Sequence, residues 1–130
     1  ILGEVGESLG MTFQMVDDIL DLKTDHETTG KSSLRDLKEG KLTWPLIIAS
    51  ERSETVKQTL IEQAAATTEL SDEACTDLVS AIIETGAVDE TVAEATRHAN
   101  RAIQALQALP KGDSRRALET VVQTALRRRK

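Results

Sequence analysis

The sequence predicts an all-α protein, an antiparallel helix bundle, and three observations support this. Aromatic residues make up only 2% of the 130 residues, whereas β-strands rely on aromatic and β-branched side chains. Apolar residues recur at spacings of three and four, which is the period of one helix face, and no stretch alternates as a strand does. Short polar stretches with Gly or Pro separate these patterns. We therefore expect residues 1–130 to form a single all-helical segment.

The first half of the chain predicts three helices. The first runs from the start of the chain to about Lys23, with one apolar face formed by Val5, Leu9, Phe13, Val16 and Leu20. A polar loop follows at residues 24–33. Pro45 is placed to begin the second helix, because its missing N–H costs nothing in a first turn. The third helix covers about residues 54–69.

The second half predicts three more helices. Ser71 is a typical N-cap for the fourth, and Gly86 is placed to end it. The fifth continues in register as far as Leu109, and its alanine seam permits close helix packing. This alanine seam consists of Ala95, Ala99 and Ala102. The last helix begins near Ser114.

Composition and charge exclude several classes of protein. A formal net charge of −6 argues against general nucleic-acid binding, although the chain ends in the basic run Arg127–Lys130. We read this run as cations at a helix C-terminus, with diphosphate binding as the alternative. No apolar run reaches the ~18 residues of a membrane span, so we expect no stable membrane insertion. A single Cys75 and no signal peptide favour a cytoplasmic protein, in which Cys75 is a buried apolar residue.

Three aspartates lie within the first predicted helix. Asp17 and Asp21 are one turn apart on a stripe that also carries Gln14, and Asp18 lies one step around the helix. Like charges at this spacing destabilise a helix, so their presence needs an explanation. One explanation is Mg²⁺, which takes one or two carboxylates and completes its coordination with water and phosphate oxygens. The other is a solvated acidic face.

Two lysines favour the metal interpretation. Lys31 and Lys41 each follow a glycine, and a lysine supplies a compact positive charge to a phosphate. A metal on one side and lysines on the other would hold a diphosphate. The Gly30-Lys31 pair is not part of a P-loop, because Asp25 stands where that motif requires its first glycine.

The stretch FQMVDDILD, followed by GK and RDLKEGKLTWP, resembles the second aspartate-rich region of the trans-isoprenyl diphosphate synthases, the polyprenyl synthetase family. The resemblance continues to the basic end, LRRRK, and covers essentially all of the chain. It implies the C-terminal portion of the isoprenoid synthase fold. It also implies a prenyltransferase that condenses an allylic diphosphate with isopentenyl diphosphate after Mg²⁺-dependent ionisation of the allylic diphosphate.

The resemblance also implies roles for individual residues. Asp17, Asp18 and Asp21 match metal-binding and catalytic aspartates, with Asp17 as the foremost direct Mg²⁺ ligand. Lys31 and Lys41 match catalytic lysines that contact the allylic diphosphate. Substrate binding is implied for both of these lysines and for a residue that faces the family's cavity, Gln14.

Some features depart from the family pattern. No second D-D-x-x-D motif occurs, and the chain begins inside a helical pattern, so we expect the C-terminal part of an enzyme that is inactive alone. Trp44 and His98 replace the family's usual residues, and we interpret both as packing changes. An alternative function is a non-catalytic helical subunit or interaction module that retains the motif. Apolar helix faces favour a homodimer.

Overall fold

The computed structural model describes residues 2–23, 42–66 and 71–128, which are helical and contain no strand. The all-α prediction is confirmed. The described helices are α1 (Leu2–Lys23), α2 (Trp44–Arg52), α3 (Glu54–Ala65), α4 (Asp72–Glu84), α5 (Ala87–Leu106) and α6 (Asp113–Arg127). None of these helices combines the length and the hydropathy that a bilayer crossing requires.

Capping residues set several of the helix ends. The Ser53 hydroxyl accepts a hydrogen bond from the Val56 N–H at 3.2 Å where α3 begins. The Ser71 hydroxyl accepts one from the Ala74 N–H at 3.1 Å where α4 begins, as the sequence predicts. Gly86 follows α4 with φ of 81°, a left-handed conformation that only glycine adopts without strain.

Two helices end earlier than their apolar patterns predict. Helix α3 stops at Ala65, because Ala66 is extended with φ of −76° and ψ of 146°. Residues 67–70 lie outside the described part of the chain. Helix α5 stops at Leu106, and the next three N–H groups each bond a carbonyl three residues back. This tightened turn precedes Pro110 and ends the α-helical register before Leu109.

The contacts divide the chain into two compact units. Unit 1 comprises Ile1–Asp17 with Val92–Lys130, and unit 2 comprises Asp18–Thr91. In unit 1 the buried cluster draws on α1, α5 and α6: Val5, Ala99, Ala102, Leu106 and Val122. In unit 2 helices α2, α3 and α4 contact one another. Their buried apolar residues are Leu46, Ala49, Val56, Leu60, Cys75, Leu78, Val79 and Ile82.

The buried side of α1 agrees with the predicted apolar face only in part. Val5 and Val16 are buried, but Phe13 of the same face is 38% exposed, and the polar Ser8 and Thr12 are buried. The Thr12 hydroxyl donates to the Ser8 carbonyl at 2.9 Å and lies 3.5 Å from the Ala95 carbonyl of α5. Because this bond satisfies the hydroxyl and the side chains are small, α5 approaches α1 along the line of Ser8 and Thr12.

Candidate functional site

The three aspartates of α1 have three different environments. The Asp17 side chain is 55% exposed, Asp18 is only 5% exposed, and Asp21 is half-buried. Asp17 belongs to unit 1, and the other two belong to unit 2. The three aspartates therefore do not form one uniformly exposed acidic surface.

In unit 1, Asp17 is paired with an arginine from the end of the chain. The Arg128 guanidinium donates to the Asp17 Oδ1. Its central carbon lies 4.8 Å from the centre of the Phe13 ring, a cation–π contact. The exposed position of Phe13 thus has a partner, and the arginine is held by both a carboxylate and a ring.

In unit 2, Asp18 is directed at the start of another helix. Its Oδ2 accepts a hydrogen bond from the backbone N–H of Trp44, the first residue of α2, at 3.2 Å. Trp44 itself is 38% exposed, so its ring is only partly packed.

The predicted polar stripe of α1 is exposed from Gly10 to Asp17. Gln14 lies between them and is also exposed, and among the described residues nothing lies within 4 Å of a Cβ built on Gly10. A ligand that binds Asp17 must displace the Arg128 guanidinium, which is bonded to its Oδ1. Asp21 continues the stripe one turn further on.

Two predicted site residues, Lys31 and Lys41, lie outside the described residues. Their predicted roles stay predictions, and so does the metal-binding role of the three aspartates.

The donor set of α1 suits a metal ion that is shared with a phosphate. Within the described part of the chain, no group of three or more His, Cys, Asp or Glu side chains is placed to hold a metal. A hard cation such as Mg²⁺ does not need such a group, because it takes one or two carboxylates and keeps positions for water and phosphate oxygens. Asp17 and Asp21 have a sequence spacing of four, which fits this requirement.

Arg128 is the neighbour of Asp17 that sequence reasoning did not identify. The basic run at the chain end was noted, but nothing in the pattern relates positions 111 residues apart. Only the folded contact between α1 and the residue that follows α6 brings them together. No sequence signal that we recognise would have found this pair.

The chain is similar to known prenyl diphosphate synthases. The family described as polyprenyl synthetase matches residues 1–84. An all-trans-nonaprenyl-diphosphate synthase (geranyl-diphosphate specific) of Rhodobacter capsulatus is 38% identical over 119 residues, which is 92% of this chain and 36% of that protein. Chloroplastic solanesyl diphosphate synthase 1 of Arabidopsis thaliana is 37% identical over 92% of this chain and 28% of its own length.

A solved structure gives the same result. The polyprenyl synthase of Caulobacter crescentus CB15, complexed with calcium and isoprenyl diphosphate, superposes with a TM-score of 0.80 at 36% identity. The match covers 98% of this chain and 39% of that one. The chain thus spans between about a quarter and two fifths of the length of these relatives.

Proposed function

Because this chain belongs to the polyprenyl synthetase family, we propose that it supplies part of the diphosphate site of a prenyltransferase in isoprenoid biosynthesis. The reaction would join an allylic diphosphate to isopentenyl diphosphate, beginning with ionisation of the allylic substrate. One observation carries the proposal. In a chain of this family, two carboxylates stand four residues apart in the helical sequence of α1, at Asp17 and Asp21.

We assign a role to each side chain of the proposed site. Asp17 and Asp21 would hold the divalent ion through their carboxylate oxygens, and Gln14 would contribute to substrate binding from the same stripe. The ion, when bound, neutralises charge that develops on the departing diphosphate. Lys31 and Lys41 would contact the same diphosphate, where an ammonium group adds to that neutralisation. The calcium in the Caulobacter structure supports a divalent ion, and Mg²⁺ is our choice for this chain.

Calorimetry with inorganic pyrophosphate tests the metal site. We expect the chain to bind pyrophosphate in the presence of Mg²⁺ and to bind it much more weakly without the ion. Asp17→Asn should remove the metal-dependent part. The matched control is Glu7→Gln, which removes one charge from another exposed position of α1 and should leave binding unchanged. Equal or absent binding with and without Mg²⁺ would rule out the metal site and favour the non-catalytic helical module.

A turnover assay of the full-length protein tests the chemistry. Asp17→Asn should lower kcat more than it raises the KM for isopentenyl diphosphate, because the metal acts on ionisation. Lys31→Ala and Lys41→Ala should instead weaken the allylic substrate. An unchanged kcat in Asp17→Asn would remove that residue from its role.

Two further predictions stay untested. A homodimer is expected from the apolar surface of the chain. A cytoplasmic location is expected from its composition, although several relatives are named as chloroplastic and one as mitochondrial.

A further inference from the structure

Asp18 is buried and bonded to another helix, and a metal ligand needs neither feature. It is 5% exposed, and aspartate is almost never buried without a partner. One partner is the backbone N–H of Trp44, which lies 26 residues further along the chain and donates to Oδ2 at 3.2 Å. At ~100° per residue, Asp18 lies ~100° around the helix from Asp17, whereas Asp21 lies only ~40° from Asp17.

The bond to Trp44 does the work of a helix cap. The N–H groups of a first helical turn have no partner within their own helix and need an acceptor. At the start of α2 the N-cap residue, Thr43, makes no capping bond with its side chain. Pro45 has no N–H to satisfy, and the N–H of Trp44 is paired by Asp18 from α1. A carboxylate at this position also lies at the positive end of the α2 dipole.

We propose that Asp18 is a positioning residue: its buried carboxylate holds the N-terminus of α2 against α1 and thereby orients the helical turn that presents Asp21 to the metal. The inference rests on the proposed function, because this orientation matters only if a metal and a diphosphate bind there. It divides the aspartates by role. Asp17 and Asp21 bind the ion, and Asp18 acts through the helix that it caps.

Two substitutions of Asp18 separate a cap from a ligand. Asparagine keeps an oxygen that can accept the N–H of Trp44, and it caps helices about as well as aspartate does, but it is a much poorer Mg²⁺ ligand. Alanine removes both functions. Asp17→Asn is the matched control, because it makes the same chemical change at the neighbouring position, which is not buried.

Two measurements are made on each variant well below its melting temperature. Calorimetry gives the affinity for pyrophosphate in the presence of Mg²⁺. The fluorescence of Trp44 reports on the start of α2 without interference, because the chain contains no other tryptophan.

We expect Asp18→Asn to bind within about twofold of the unsubstituted chain and to keep its emission maximum. Asp18→Ala should bind pyrophosphate about two- to thirtyfold more weakly. The loss of affinity cannot exceed the free energy of the contact that is removed, and this range corresponds to the free energy of an N-cap. The Trp44 emission of Asp18→Ala should shift to longer wavelength. Asp17→Asn should lose metal-dependent binding and keep the emission of Trp44.

Three results would overturn the proposal. If Asp18→Asn binds as poorly as Asp17→Asn, Asp18 is a metal ligand. If Asp18→Ala lowers the melting temperature but leaves the affinity unchanged, the contact only stabilises the fold. If Asp18→Ala leaves the emission of Trp44 unchanged, the cap itself is absent. Failure of the proposed function gives a different result, because the unsubstituted chain would then show no Mg²⁺-dependent binding while the emission of Trp44 still responded to Asp18→Ala.

Discussion

Replacing Arg128 with glutamine should increase the affinity of the chain for a divalent metal ion. Arg128 donates to the Oδ1 of Asp17, the carboxylate that we propose as a metal ligand. An ion that binds this oxygen must displace the guanidinium. Arg128→Gln removes the competing charge and leaves the carboxylate in place. Mn²⁺ is a suitable probe, because it prefers the same oxygen ligands as Mg²⁺ and the free ion is measured directly by electron paramagnetic resonance.

The size of the effect follows from the exposure of the pair. The Asp17 side chain is 55% exposed and that of Arg128 is 42% exposed, and exposed ion pairs contribute about 0.2–1 kcal/mol. That range corresponds to a change of about 1.4- to 5-fold in affinity. If the guanidinium also leaves the Phe13 ring, the lost cation–π contact adds about 0.5–1 kcal/mol. We therefore expect Arg128→Gln to bind Mn²⁺ about 1.4- to 5-fold more tightly if the ring contact is kept, and about three- to thirtyfold more tightly if it is lost as well.

The neighbouring arginine provides the control. Arg127→Gln changes the net charge equally, but the Nε of Arg127 donates to the Gln123 carbonyl at 3.4 Å. It should raise the affinity less than Arg128→Gln does, and the difference measures the direct contact. The difference should shrink at high salt, because the pair is exposed. Equal affinities of the two variants would show that Arg128 does not compete with the metal, and our reasoning would be wrong.

Three further predictions concern the fold and the assembly. Leu106→Ala should lower the free energy of unfolding by about 2–5 kcal/mol in chemical denaturation, because Leu106 is fully buried, whereas Leu2→Ala at a 65% exposed site should change it by less than about 0.5 kcal/mol. Gly86→Ala should destabilise the chain by about 1–2 kcal/mol, since φ is 81° and the new Cβ would lie 3.2 Å from Nη1 of Arg52. Gly6→Ala, in a helix with open space around it, should stabilise the chain by about 0.5–1 kcal/mol, and a loss of stability there would contradict this account. Sedimentation equilibrium should show a mass that rises with concentration, and a monomer throughout the accessible range would contradict the homodimer.

The helices could be predicted from the sequence because their signals are local. Ser71 and Gly86 mark the two ends of α4, and both lie where the pattern places them. The apolar period also predicted α1, which is helical over all of Leu2–Lys23. The ends of α3 and α5 were less predictable, because the apolar spacing continues past the point at which the backbone leaves the helix.

The surroundings of the site residues could not be predicted in the same way. The sequence places Asp17 and Asp18 side by side, yet one is exposed and the other is buried. This difference depends on Arg128 and Trp44, which are distant in sequence. The burial of Thr12 was missed because a hydroxyl reads as polar, although its bond to the Ser8 carbonyl removes the cost of burial. Residue type alone does not reveal such long-range partners.

The packing of Ser8 and Thr12 near the alanine seam has a consequence for how relatives of this chain diverge. Thr12 is fully buried and its hydroxyl lies 3.5 Å from the backbone carbonyl of Ala95, so a larger side chain at position 12 would press on the backbone of α5. A backbone atom cannot be made smaller by substitution, so lineages of this chain are expected to keep a small residue at position 12. The exposed position of Gly6 is free to drift.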